Sequence, residues 1–213
     1  MIRPTLAAAA LLGFGLPAAA QDSFSLSYGA AVTSNYIDKG TSQSDGKPAV
    51  QGYVEGAYGI FYGGVWTSTV DIYGDNLEVD LYAGVRPELG GDLTIDFSYY
   101  RYLYDDSGDC CGEFILLAGY AVADIGEVSA EFDYDPVNDT QWGELGASMG
   151  IVAEFTLGGK IGTDFGSYDL GKDKVAWDVG VSRGLGDFAT VDLRYYDSND
   201  DPDTAVLTIS VDF

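Results

Sequence analysis

Residues 204–213 read Thr-Ala-Val-Leu-Thr-Ile-Ser-Val-Asp-Phe, with Ala205, Leu207, Ile209, Val211 and Phe213 on one face and Val206, Thr208, Ser210 and Asp212 on the other. This alternation is the period of a β-strand with one apolar side. The same period recurs upstream, where Leu77, Val79, Leu81, Ala83 and Val85 alternate with Glu78, Asp80, Tyr82, Gly84 and Arg86. Twelve such segments follow one another, at 24–36, 48–58, 61–70, 76–87, 92–104, 113–122, 126–135, 142–152, 154–163, 174–183, 188–197 and 204–213. The series predicts an all-β fold, a transmembrane antiparallel up-and-down β-barrel, because barrel strands are about ten residues long and alternate in this way. The break near Ala153 carries no Gly or Pro, and without it the count falls to ten.

The connections point the same way. Those at 59–60, 88–91, 123–125, 152–154 and 184–187 are tight, whereas 37–47, 105–112, 164–173 and 198–203 are longer and acidic. Barrels of this class keep short turns in the periplasm and long loops outside, so both termini are expected to be periplasmic. Tyr36, Tyr104, Trp142 and Tyr195 lie toward the long loops, and Phe24, Tyr58, Phe61, Phe155, Phe188 and Phe213 toward the tight turns. Two such bands predict interfacial girdles. The competing architecture is a soluble β-sandwich, which would not repeat long and short connections so regularly.

Arg3, the apolar run from Leu6 to Leu16 and the small residues Ala18 to Ala20 form a leader for export, with Gln21 as the expected mature N-terminus. The expected mature domain is residues 21–213. No later stretch holds 18 consecutive apolar residues, so any membrane span must be a closed barrel. Gly, 29 of 213 residues, is well above common usage of about 7%. The formal charge of −24, from 34 acidic and 10 basic residues, excludes a nucleic-acid partner by repulsion from phosphate.

From Ser34 the chain reads S-N-Y-I-D-K-G-T-S-Q-S-D-G-K-P-A-V-Q-G, then F-Y-G-G-V-W-T-S-T-V-D, then L-E-V-D-L-Y-A-G-V-R through Arg86. These stretches resemble the TorF family of porin-like proteobacterial outer-membrane proteins, densely over the first half of the chain and loosely over the rest. Lys39 stands where that family more often has Arg. The resemblance implies an outer-membrane pore for small hydrophilic solutes and names no solute. A final aromatic after an alternating strand, as at Phe213, resembles outer-membrane proteins whose last residue is read by the barrel assembly machinery.

The chain has no His, which removes Ser-His-Asp, Cys-His and His-metal sites, and no enzymatic activity or cofactor is expected. If apolar faces meet lipid, parity turns Glu55, Glu78, Asp80, Asp96, Glu131, Asp133, Glu144, Asp178, Asp192 and Asp212 inward, against Arg86, Lys160 and Arg194. The expected lumen is acidic and favours cations and neutral solutes over anions. Arg86 and Asp96 are diagonal neighbours across the 88–91 turn, close enough to pair. The alternative is a structural or adhesive barrel plugged by its own ion pairs. The faces around Tyr53, Tyr62 and Trp66 are mixed and assign no lumen role beyond Glu55.

The outer loops collect acidic residues such as Asp105, Asp106, Asp109, Asp164, Asp169, Asp173, Asp200, Asp201 and Asp203, with Lys39, Lys47 and Lys172 as their bases. No loop has a calcium-motif spacing, so no defined metal site is expected, only loose divalent bridging to lipopolysaccharide. Cys110 and Cys111 are adjacent in an expected outer loop. A vicinal disulfide, a cross-link between chains and two free thiols are all open. Oligomeric state does not follow from these residues.

Overall fold

The computed structural model describes residues 23–87, 89–166 and 174–213. The leader over 1–20, Gln21, Glu88 of one turn and Asp169, Lys172 and Asp173 of one loop lie outside the described residues. Twelve long strands form the wall: β1 (Ser25–Thr33), β4 (Ala49–Tyr58), β5 (Phe61–Ile72), β6 (Asp75–Val85), β7 (Leu93–Tyr104), β8 (Gly108–Val122), β9 (Gly126–Asp135), β10 (Thr140–Gly150), β11 (Phe155–Gly166), β12 (Val175–Leu185), β13 (Ala189–Ser198) and β14 (Thr204–Asp212). Two short strands, β2 (Ile37–Asp38) and β3 (Thr41–Ser42), form a separate hairpin between β1 and β4. Each long strand pairs antiparallel with its chain neighbours, and β1 closes on β14 with Val32 opposite Ile209. Closure removes both sheet edges, so every strand's backbone ladder has a partner on each side.

Side chains divide by parity around this wall. Leu26, Val54, Leu81, Leu145, Ile161, Leu193 and Ile209 are exposed on the outer face, as are Phe61 and Phe97. On the opposite face of the wall, Ser68, Glu78, Asp80, Ser98, Asp133, Asp178, Asp192 and Arg194 are buried. A wall that exposes its apolar residues and buries its charges is inside out for water and suited to hydrocarbon. Among the described residues no helix is long and apolar enough to cross a membrane.

The count of twelve matches the pattern read from the sequence, and the change of direction near Ala153 is made by a 3-10 turn at Val152–Glu154. Several connections differ. Residues 105–107 alone join β7 to β8, so the expected loop at 105–112 is a tight turn, and Cys110 and Cys111 lie on a strand. The β5–β6 and β9–β10 connections, at 73–74 and 136–139, are also short, so long and short connections alternate less regularly than expected. Asp164 belongs to β11, which runs on to Gly166. Tyr36, Tyr104 and Trp142 are not girdle residues: Trp142 is buried, Tyr36 packs edge-on against buried Trp66, and Tyr104 bonds to buried Glu78. The outer band keeps Tyr195, which packs on Trp177.

Candidate functional site

The space enclosed by the wall is where buried polar chemistry collects. Arg86 extends from the end of β6 and places Nη1 2.6 Å from Glu55 and Nε 2.7 Å from Asp96. Its guanidinium lies 3.6 Å over the Tyr62 ring, and the Tyr62 hydroxyl donates to Asp96 at 2.5 Å. Arg194 on β13 pairs with Asp178 on β12 and, at 3.1 Å, with Asp192 on its own strand. Lys160 on β11 pairs with Glu144 on β10 at 2.8 Å. Strand alternation builds these groups: charges two residues apart on one strand, or diagonal to each other on neighbouring strands, share one face.

Of the remaining carboxylates, Glu78, Asp80, Glu131 and Asp212 have no such base among the described residues. Glu78 accepts a hydrogen bond from the Tyr104 hydroxyl at 2.8 Å, and Asp212 accepts one from Tyr53 at 3.1 Å. Glu131 lies in register with Glu144. Asp80 is buried opposite Trp66 in the β5–β6 register, and no base pairs with it among the described residues. Tyr53, Tyr62 and Trp66 share this inner side, while Val54, Phe61 and Val65 are exposed outside, which resolves the faces that looked mixed in the sequence. Tyr62, Tyr82, Tyr100 and Tyr102 continue as a ladder of rings 6.1, 4.9 and 6.4 Å apart.

The residue most consequential for the site is one the strand pattern did not single out. The β2–β3 hairpin, expected in an external loop, folds into the barrel and crosses it. Lys39 and Gly40 form its two-residue turn with φ of 45° and 77°, the left-handed pair that suits a tight hairpin. From there Lys39 Nζ reaches Glu113 on β8 at 2.8 Å and Asp133 on β9 at 2.9 Å. Those strands stand across the barrel from β1 and β4 in the strand order. The Gly40 carbonyl accepts from Ser198 on β13, and Lys174 donates to Thr41. A Cβ at Gly40 would collide with Ala176 on β12, so only glycine lets the tip approach this closely. At the hairpin's base, Ser42 and Ser44 both donate to Asn35, at 2.7 and 3.0 Å. The signal was present as Asp-Lys-Gly-Thr, a two-residue turn between extended residues, and Glu113 could have been found by extending the parity of its strand.

Deeper in the barrel, Tyr62, Arg86, Asp96, Ser98, Tyr100, Ile115, Leu117 and Glu131 line a cavity of about 30 Å³, room for one water. Cys110 and Cys111 form a disulfide at a register shift in the β7–β8 ladder, where Tyr102 faces Cys111 and Leu103 faces Asp109. Cys110 is thus the extra residue of a β-bulge. Phe213 stacks on Tyr28 and Phe188 at 5.5 and 5.9 Å, and its backbone exchanges hydrogen bonds with Tyr28. Among the described residues no group of three or more acidic or Cys side chains is placed to hold a metal.

Solved structures share this architecture. The fold is similar to that of the KdgM porin, with a TM-score of 0.64, 8% identity, and 88% of this chain and 97% of that one covered. KdgM is also described in complex with disordered oligogalacturonate. The NanC porin gives 0.59 and 10% over 89% of this chain and 99% of that one, and an outer membrane channel from Pseudomonas putida F1 gives 0.56 and 10% over 88% and 95%. At these identities the likeness establishes the fold, a closed twelve-strand barrel of the kind outer-membrane porins use. No curated protein matches the chain. A family model described as "Bacterial protein of unknown function (Gcw_chp)" matches residues 17–211, and the chain belongs to that family.

Proposed function

We propose that the protein is an outer-membrane porin through which small hydrophilic solutes diffuse passively, with an acidic path that prefers cationic and neutral solutes to anions. The observation that carries this reading is the closed twelve-strand wall with apolar side chains outside and carboxylates within. Twelve strands enclose more space than the eight-strand case that side chains fill. Glu55, Glu78, Asp80, Asp96, Glu131, Asp133, Glu144, Asp178, Asp192 and Asp212 line this path, with Arg86, Lys160 and Arg194 as its wall bases and Lys39 supplied by the hairpin. Carboxylates in excess of bases, set in a low-dielectric wall, concentrate cations and repel anions. Oligogalacturonate, the polyanion in the KdgM complex, is the charge class this interior disfavours.

The surroundings follow from the same reading. The leader over residues 1–20 directs export, both termini face the periplasm, and Phe213 is read by the barrel assembly machinery. The acidic outer rim meets lipopolysaccharide through divalent ions. Liposome swelling tests the path: vesicles holding the refolded barrel should swell in an isotonic small neutral sugar, and an unchanged vesicle size would contradict a through-path. The inserted hairpin favours a second reading, a structural or adhesive barrel whose bore is closed, and the same assay separates the two.

A further inference from the structure

Asp80 is an anomaly that the transport reading leaves unexplained. It is 6% exposed, its Oδ1 has no hydrogen-bond partner, and no described Lys or Arg pairs with it. Buried polar groups in folded proteins are nearly always satisfied, and a lone carboxylate is among the costliest exceptions. Two of its neighbours share the condition. Trp66, directly opposite on β5 and 7% exposed, has an indole Nε1–H with no acceptor. Glu78, on the same face of β6 and 4% exposed, has one oxygen, Oε2, without a partner.

Around these atoms the surface is aromatic. Tyr36 packs edge-on against Trp66 at 5.6 Å, Tyr102 is the β7 register partner of Asp80, and Tyr104 is that of Glu78. The three tyrosines are only partly buried. A metal ion does not suit it, because rings supply π faces rather than the several oxygens a hard cation needs. An organic ammonium does, since aromatic faces attract a bulky cation and carboxylates neutralise it. The unpaired indole N–H adds a requirement for an acceptor on the same ligand.

We propose that Asp80, Glu78, Trp66 and the tyrosines around them form a binding site for amino alcohols, compounds carrying an ammonium group and a nearby hydroxyl. Asp80 and Glu78 take the positive charge, the rings face its alkyl surface, and Trp66 donates to the hydroxyl. This rests on the reading that solutes enter the barrel, and it names the class of solute held there.

Isothermal titration of the refolded, detergent-solubilised barrel with choline is the test, with 3,3-dimethyl-1-butanol as the uncharged isostere. Choline should bind saturably, and Asp80→Asn and Glu78→Gln should each weaken it about tenfold or more. Trp66→Phe, which keeps a ring and loses the N–H, should weaken it less. A lack of saturation up to about 0.1 M, equal binding of the isostere, or unchanged affinity in both carboxylate variants would overturn the site. Two variants guard against one failing to fold. Titration requires no conductance, so binding by a barrel that conducts nothing would contradict the porin reading alone, and conduction without binding would contradict this site alone.

Discussion

Lys39 Nζ lies 2.9 Å from a carboxylate oxygen of Asp133, and this contact ties a hairpin that starts between β1 and β4 to the far side of the barrel. Asp133 is only 2% exposed, so Lys39 is its charge partner inside the wall rather than a surface ornament. One side chain therefore sets how far the hairpin reaches across the interior, and Glu113 doubles the tie.

Removing that tie should widen the path. Lys39→Ala leaves Glu113 and Asp133 without their base, and the released hairpin should raise single-channel conductance about twofold or more. Gly40→Val, which drives a side chain into Ala176, should act in the same direction. Conductance that stays level in both variants would show that the hairpin does not limit flow.

Arg86 is a stability residue. Its side chain joins Glu55 and Asp96, all three largely shielded from water, and Arg86→Met strands two carboxylates. The expected cost is about 3 kcal/mol, read as a lower urea midpoint in detergent micelles. Adding Glu55→Gln and Asp96→Asn should restore most of it. A single variant as stable as the parent would contradict the role.

The disulfide makes a chemical prediction. With Cys110 bonded to Cys111, iodoacetamide should leave the native chain unmodified and should add two carbamidomethyl groups after reduction. Modification before reduction would show free thiols, and a reducible dimer would show a bond between chains.

The β7–β8 turn should loosen in acid. Asp105 accepts hydrogen bonds from the backbone N–H groups of Asn76, at 2.8 Å, and Leu77, at 3.1 Å, and these hold its carboxyl below the ordinary aspartate range. A lowered folded value means the stabilisation is complete above the unfolded aspartate value, about 4, and is lost as pH falls through the lower folded one. Hydrogen-exchange protection at Asn76 and Leu77 should therefore fall in strong acid and in Asp105→Asn at neutral pH. Equal protection in that variant would contradict the assignment.

Strand number and closure were legible because a barrel wall repeats one rule, apolar out and polar in, along every strand. The rule fails where the interior is itself aromatic. Tyr53, Tyr62 and Trp66 have the hydrophobicity of lipid-facing residues, and only their register partners place them inside. The hairpin was hidden for a different reason. Residues 37–42 are polar enough to read as loop, and nothing local to Lys39 reveals that Glu113 and Asp133, far along the chain, await it. Loop lengths misled at 105–112 because Gly108, Cys110 and Gly112 look like loop residues, while the bulge absorbs them into β8.

Planar-bilayer recording in a potassium chloride gradient reads directly whether carboxylates in the sealed wall line a water-filled path. Discrete conductance steps and a reversal potential displaced toward that of potassium are expected. A displacement toward chloride, or a barrel correctly inserted that passes no current, would contradict that reading.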